Sequence, residues 1–251
     1  MARPNSMRKT NQRGIVIGPI LFIVAILAVL AAAIAAGSGA FNGDISTVSA
    51  KAQASAILGY ANEVKFAVDR LLANGCKDTE ISFENPIVSG YENPNAPSDK
   101  SCHVFNVNGG GILFKEPPTD VDLTSVPQEI RKYFIHTHME FIRIGKTVTY
   151  DFPLGQNIGR ETAILLFGIK KELCLQINNL VNVAMESGDA PPNNHFEAII
   201  YGYEYGSNGY LMPCGSQPVC SFIGCLKVSA NATDARIPIG SYVFYSVLIV
   251  R

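Results

Sequence analysis

Residues 45–75 read ISTVSAKAQASAILGYANEVKFAVDRLLANG, and within them Ile45, Val48, Ala52, Ala56, Tyr60, Val64, Val68 and Leu71 recur at steps of three and four. That spacing predicts an amphipathic helix with an apolar stripe on one side and Lys51, Gln53, Asn62, Lys65 and Asp69 on the other. Asn74-Gly75 ends it, because a glycine accepts the left-handed conformation that closes a helix. A long helix with one apolar face needs a body to lie against, so the stretch predicts a helix packed on a globular head.

On the N-terminal side there is no charged residue from Gly14 to Gly43, and Ile15 to Ala36 is almost wholly apolar. A run of about 20 such residues suffices for a helix to cross a bilayer. Before it, Arg3, Arg8, Lys9 and Arg13 stand without an acid, leaving 16 basic against 21 acidic residues in the rest of the chain. Positive charge ahead of an apolar helix stays on the cytoplasmic side, which places everything after about Ala40 across the membrane. The expected organisation is a basic leader 1–14, a transmembrane helix 15–37, an amphipathic stalk helix 44–75 and a head 76–251. With 251 residues, 47% hydrophobic and 16% charged, the chain can bury a core, and a net charge of -1 offers nothing to nucleic acid.

Three fates of the apolar segment differ in where the chain is cut. A conventional signal peptide would be cleaved near Ser38-Gly39-Ala40, although the apolar run is longer than such signals carry. An uncut anchor would keep Met1. The third fate follows from Arg13-Gly14-Ile15-Val16-Ile17, a basic leader ending in glycine directly before the apolar helix. With the amphipathic helix and a cysteine-containing body behind it, this pattern resembles type IV pilins and the pseudopilins of type II secretion. The resemblance covers about the first quarter of the chain. It implies cleavage between Gly14 and Ile15 by a membrane prepilin peptidase, followed by methylation of the new amino terminus. Glu172 to Asn179 and Tyr242 to Ile249 are also similar to stretches of pilin-like membrane proteins of Gram-negative bacteria. The family usually has phenylalanine first and glutamate fifth after the cut, where this chain has Ile15 and Pro19. That glutamate neutralises a neighbour's buried amino terminus in the filament, since an unpaired charge in an apolar bundle is costly. Its loss points to a minor or tip subunit.

Beyond the stalk, Cys76 to Cys102 is rich in Pro, Asn, Ser and Asp and reads as a surface loop. A strand is expected at Cys102 to Val107, with Gly109-Gly110-Gly111 turning the chain into Ile112-Leu113-Phe114 as a hairpin. Those glycines lack the Lys-Ser/Thr ending of a phosphate loop. Tyr133 to Ile144 predicts another strand, with Lys146 to Phe152 as its hairpin partner. Gly159 to Ala184 predicts a second helix through Leu166, Ile169, Leu173, Ile177, Leu180 and Ala184. Glu197 to Tyr205, Phe222 to Val228 and Tyr242 to Val250 predict further strands, giving an α+β head with a mainly antiparallel sheet.

All six cysteines, Cys76, Cys102, Cys174, Cys214, Cys220 and Cys225, follow the membrane segment, where disulfides form. Three bridges are expected, and six cysteines allow 15 pairings. Cys76 with Cys102 would staple the polar loop to the helix end. Two of Cys214, Cys220 and Cys225 would close a small loop and leave the third for Cys174. Zinc is disfavoured, because no Cys-x2-Cys knuckle is present. His136, His138 and Glu140 alternate on one strand face and form a weak metal candidate. The preferred reading is a polar strand face, with Thr137, Met139 and Phe141 turned to the core. No Gly-x-Ser-x-Gly elbow is found, so neither catalysis nor a cofactor is expected. Asn231-Ala232-Thr233 reads as a turn, and Tyr201, Tyr203, Tyr205 and Tyr210 as strand packing or a protein-binding stripe.

The sequence thus predicts a structural or assembly subunit of a pilus or secretion apparatus. It would sit in the bacterial inner membrane with its head in the periplasm, its partners being other pilin-like subunits and the prepilin peptidase. The alternative is an uncut, signal-anchored periplasmic domain that binds a protein or another ligand.

Overall fold

The structure, a computed structural model, describes residues 47–141, 161–185, 187–193, 209–211, 221–228 and 236–250, with backbone alone at 137–141, 193 and 209–211. The chain divides into units 1–48 and 49–251, and nearly all described residues belong to the second. Helix α1 covers 47–73. Its end is a Schellman turn: Cys76 N–H donates to Leu71 C=O, Gly75 N–H donates to Leu72 C=O, and Gly75 sits at φ 98°.

The buried stripe of α1 is Ala50, Ala54, Ile57, Ala61, Val64, Val68 and Leu71. The sequence pattern is corrected in the first turns, where Val48, Ala52 and Ala56 are exposed. The cause is geometric. Successive steps of four advance a residue about 40° round a helix, so a row at 48, 52, 56, 60 and 64 winds across its surface. Alternating steps of four and three stay on one face, and that row carries the core contacts.

The head is α+β. Strands β1 (Tyr133–Phe141), β2 (Glu161–Ile169), β3 (Pro192–Asn193), β4 (Gly209–Leu211), β5 (Ile223–Val228) and β6 (Tyr242–Ile249) form one sheet in the order β3-β5-β6-β2-β1-β4. The middle four are antiparallel, and short β3 and β4 pair in parallel at the edges. Tyr133, Ile135, Ile164, Leu166, Phe244 and Leu248 share one apolar cluster with α1. Ala163, Leu165, Phe167, Val243, Tyr245 and Val247 share another with Val126, Ile130 and Ile237, so apolar groups cover both faces.

That double cover explains the second correction. Residues 161–169 are strand β2, not the first half of a helix; helix α2 begins only at Lys171 and ends at Leu180. All nine residues of β2 are buried. A strand covered on both sides shows no alternation, and its apolar run imitates a buried helix. Within α2, Leu173 and Ile177 join the core as expected, and Cys174 joins them, whereas Leu180 is 39% exposed.

The third correction concerns 102–107, which form consecutive turns and not a strand, with one parallel bridge between Ser82 and His103. The glycines that follow press backbone on backbone. A Cβ on Gly109 would lie 2.3 Å from His103 O, and one on Gly110 would lie 2.2 Å from Val104 O. Residues 111–118 then run without turn or bend in place of the expected hairpin arm. The expected segments Lys146 to Phe152 and Glu197 to Tyr205, like 15–37, lie outside the described residues. Among the described residues no helix is long and apolar enough to cross a membrane.

Candidate interaction surface

Two disulfides hold the head. Cys76–Cys102 staples the loop after α1 to its C-terminal end, and Cys174–Cys225 ties α2 to β5. Among the described residues no cysteine is free. Of the three cysteines left open as partners for Cys174, the structure selects Cys225; Cys214 and Cys220 lie outside the described residues. So do Gly14 and Ile15, and Asn231 to Thr233. His136, His138 and Glu140 all lie on β1, and of their side chains only that of His136 is described, half-buried. Among the described residues no group of three or more His, Cys, Asp or Glu is placed to hold a metal ion. Of the tyrosine stripe, only Tyr210 is placed, by its backbone on β4.

The outer side of α1 carries the clearest surface feature. Residues 111–118 lie along the helix as a strap, fastened at three levels. Arg70 donates from its guanidinium to Gly110 C=O, Lys115 N–H donates to Tyr60 Oη at 2.9 Å, and Gln53 Nε2 donates to Asp120 C=O at 3.0 Å. The Lys115 ammonium also pairs with Glu63. Burial pushes the Tyr60 phenol up to about 12, the Lys115 amide pulls it down, and the Glu63 charge adds to the rise. Phe114 turns inward and meets Phe105 edge-on, with ring centroids 5.1 Å apart.

Beside the strap, Gly59, Asn62, Glu63, Phe66, Arg70 and Ile112 line an open groove of about 550 Å³. Phe66 is 72% exposed there, and Leu113, next to Ile112 in the strap, is 74% exposed. Large apolar side chains at that exposure are what an interaction surface offers. The sequence pattern placed neither Phe66 nor Arg70 in a site, because a single phenylalanine on a polar helix face has no period to betray it.

Two polar clusters sit elsewhere. His103 Nδ1 lies 3.2 Å from Glu84 Oε2, and Lys100 Nζ lies 3.2 Å from the other oxygen of the same carboxylate. Burial draws the His103 imidazole below its usual value; Glu84 opposes this and Lys100 adds to it. At the other cluster Asp189 accepts from Lys227 Nζ at 2.9 Å, Tyr242 Oη at 3.0 Å and its neighbour's amide, Ala190 N–H, at 2.9 Å. Burial pushes the Asp189 carboxyl up, but these donors prevail and leave it at about 2. Both clusters are saturated by their own partners and brace loops.

No protein-family model, curated protein or solved structure matches the chain.

Proposed function

We propose that the chain is a membrane-anchored, pilin-like or pseudopilin-like subunit of a pilus or secretion apparatus, in a minor or tip position, with a structural and not a catalytic role. One observation carries the reading: a single helix, 47–73, starts soon after the apolar segment, lays one face across an antiparallel sheet and leaves Phe66 exposed on its outer side beside the strap. Such a stalk, stapled at its far end by Cys76–Cys102, suits transmission of an anchored position to a rigid head. The basic leader, Gly14 before the apolar run, and Pro19 in place of an acid support processing and a minor place in the assembly.

Mass spectrometry of the mature amino terminus tests this. A chain beginning at Ile15, methylated, with Gly14→Val blocking the cut, is the expected result. An intact Met1 in a host with an active prepilin peptidase would favour the second reading, a signal-anchored periplasmic binding domain, which the groove beside Phe66 supports. A terminus at Phe41 would mean a secreted protein. If processed, the chain expressed without other pilins should remain in the membrane, and homopolymeric filaments would overturn the minor-subunit reading.

A further inference from the structure

We propose that the groove between α1 and the 111–118 strap binds an extended peptide strand of a partner protein, apolar where it crosses Phe66 and Ile112 and acidic where it reaches Arg70. The strap is the first reason. Among the described residues, the backbone of 112–116 makes a single hydrogen bond, from Lys115 N–H to Tyr60 Oη. That bond turns the Lys115 amide toward α1. Leu113, in the same stretch, makes no backbone hydrogen bond among the described residues, and its side chain is 74% exposed. Unpaired backbone beside exposed apolar side chains is what strand addition uses, with main-chain bonds for affinity and side-chain pockets for selectivity.

Charge names the other half of the ligand. Beside the groove, the Lys115 ammonium is paired with Glu63. Arg70, at the end of the groove, has only the neutral Gly110 carbonyl among the described residues. A guanidinium with spare donors takes a carboxylate in a bidentate grip. Gly59, with nothing within 4 Å of where its Cβ would stand, keeps the far end open. The ligand is therefore a short extended segment with β-branched or aromatic residues near an Asp or Glu. This does not depend on cleavage at Gly14, so either reading can fail alone.

The test uses the full chain, purified in detergent and immobilised. The probes are hexapeptide mixtures with blocked ends, randomised over Val, Ile, Thr, Leu and Tyr, with Asp fixed at the first or last position. Matched mixtures carry Lys in place of Asp. Retention of Asp peptides over Lys peptides is expected, with affinity for the selected sequence falling roughly tenfold or more in Phe66→Ser and in Arg70→Gln. N-methylation of alternate ligand amides should also abolish binding. Because Phe66 is exposed, its serine variant should fold, which keeps the test meaningful if Arg70→Gln loosens the strap. Equal retention of both mixtures, or no loss in Phe66→Ser, would overturn the proposal. So would selection of amphipathic helical peptides from a second library, or concentration-dependent self-association abolished by Phe66→Ser, which would make the occupant a second copy of this chain.

Discussion

The side-chain amide of Asn178 pairs with the backbone of Cys225 like a missing strand: its Nδ2 donates to Cys225 C=O at 2.9 Å, and its Oδ1 accepts from Cys225 N–H at 2.7 Å. Strand β3 pairs with β5 only at Lys227 and Val228, so Cys225 would otherwise be a buried edge residue with two unmet backbone groups. At the other side of the sheet, Tyr91 Oη accepts from Ile135 N–H of β1 at 3.0 Å. Side chains thus finish both margins of the sheet where the short edge strands do not reach.

Asn178→Ala should therefore cost more than an average substitution. It orphans a buried donor and a buried acceptor at once, each worth about 1–3 kcal/mol. Urea denaturation should show a loss of about 2–4 kcal/mol, against about 1–2 kcal/mol for Tyr91→Phe, which orphans one donor. Equal and small losses would mean that water enters the margin and replaces Asn178.

The disulfides should differ in both reducibility and worth. Cys174 and Cys225 are fully buried, while Cys76 is half-exposed. Mild reductant on the folded protein should open Cys76–Cys102 first, as read by alkylation and peptide mass. In the chain-entropy account, loops of 26 and 51 residues predict stabilisation of about 3.5 and about 4 kcal/mol. Paired Cys→Ser variants, unfolded in urea under non-reducing conditions, check the order.

Two glycine substitutions should act in opposite directions. Gly59 lies inside α1 with open space around its Cβ position, so Gly59→Ala should stabilise by about 0.5–1 kcal/mol through helix propensity. Gly110→Ala would drive a methyl into the Val104 backbone, which cannot rotate away. Melting temperature should rise in the first, while in the second limited proteolysis should find a new cut near 103–111.

Acid should act through Asp189. Its carboxyl is lowered from 3.8 to about 2 in the folded protein, so its stabilising effect is complete above pH 4 and is lost as pH falls toward 2. Asp189→Asn should flatten the stability profile across that window and cost about 1 kcal/mol at pH 7, since Lys227 and Lys171 are half-exposed and screened. An unchanged acid profile in Asp189→Asn would assign the acid sensitivity to other carboxylates.

Local pattern alone carried α1 and its end at Gly75 and the strands β5 and β6, and with them the α+β class. Each of these is written in neighbouring residues: a 3.6-residue period, a run of β-branched and aromatic side chains, a glycine where a helix must stop. Tertiary structure decided what depends on distant partners. Strand β2 is a strand because β1 and β6 flank it and apolar clusters cover both its faces, a circumstance its own apolar run cannot record. Cys174 chose Cys225 because α2 packs beside β5, and Asn178 acquired a task because β3 is too short to cover Cys225. The groove of Phe66, Arg70 and Ile112 joins residues more than 40 positions apart, and only the packing of the strap on α1 brings them together.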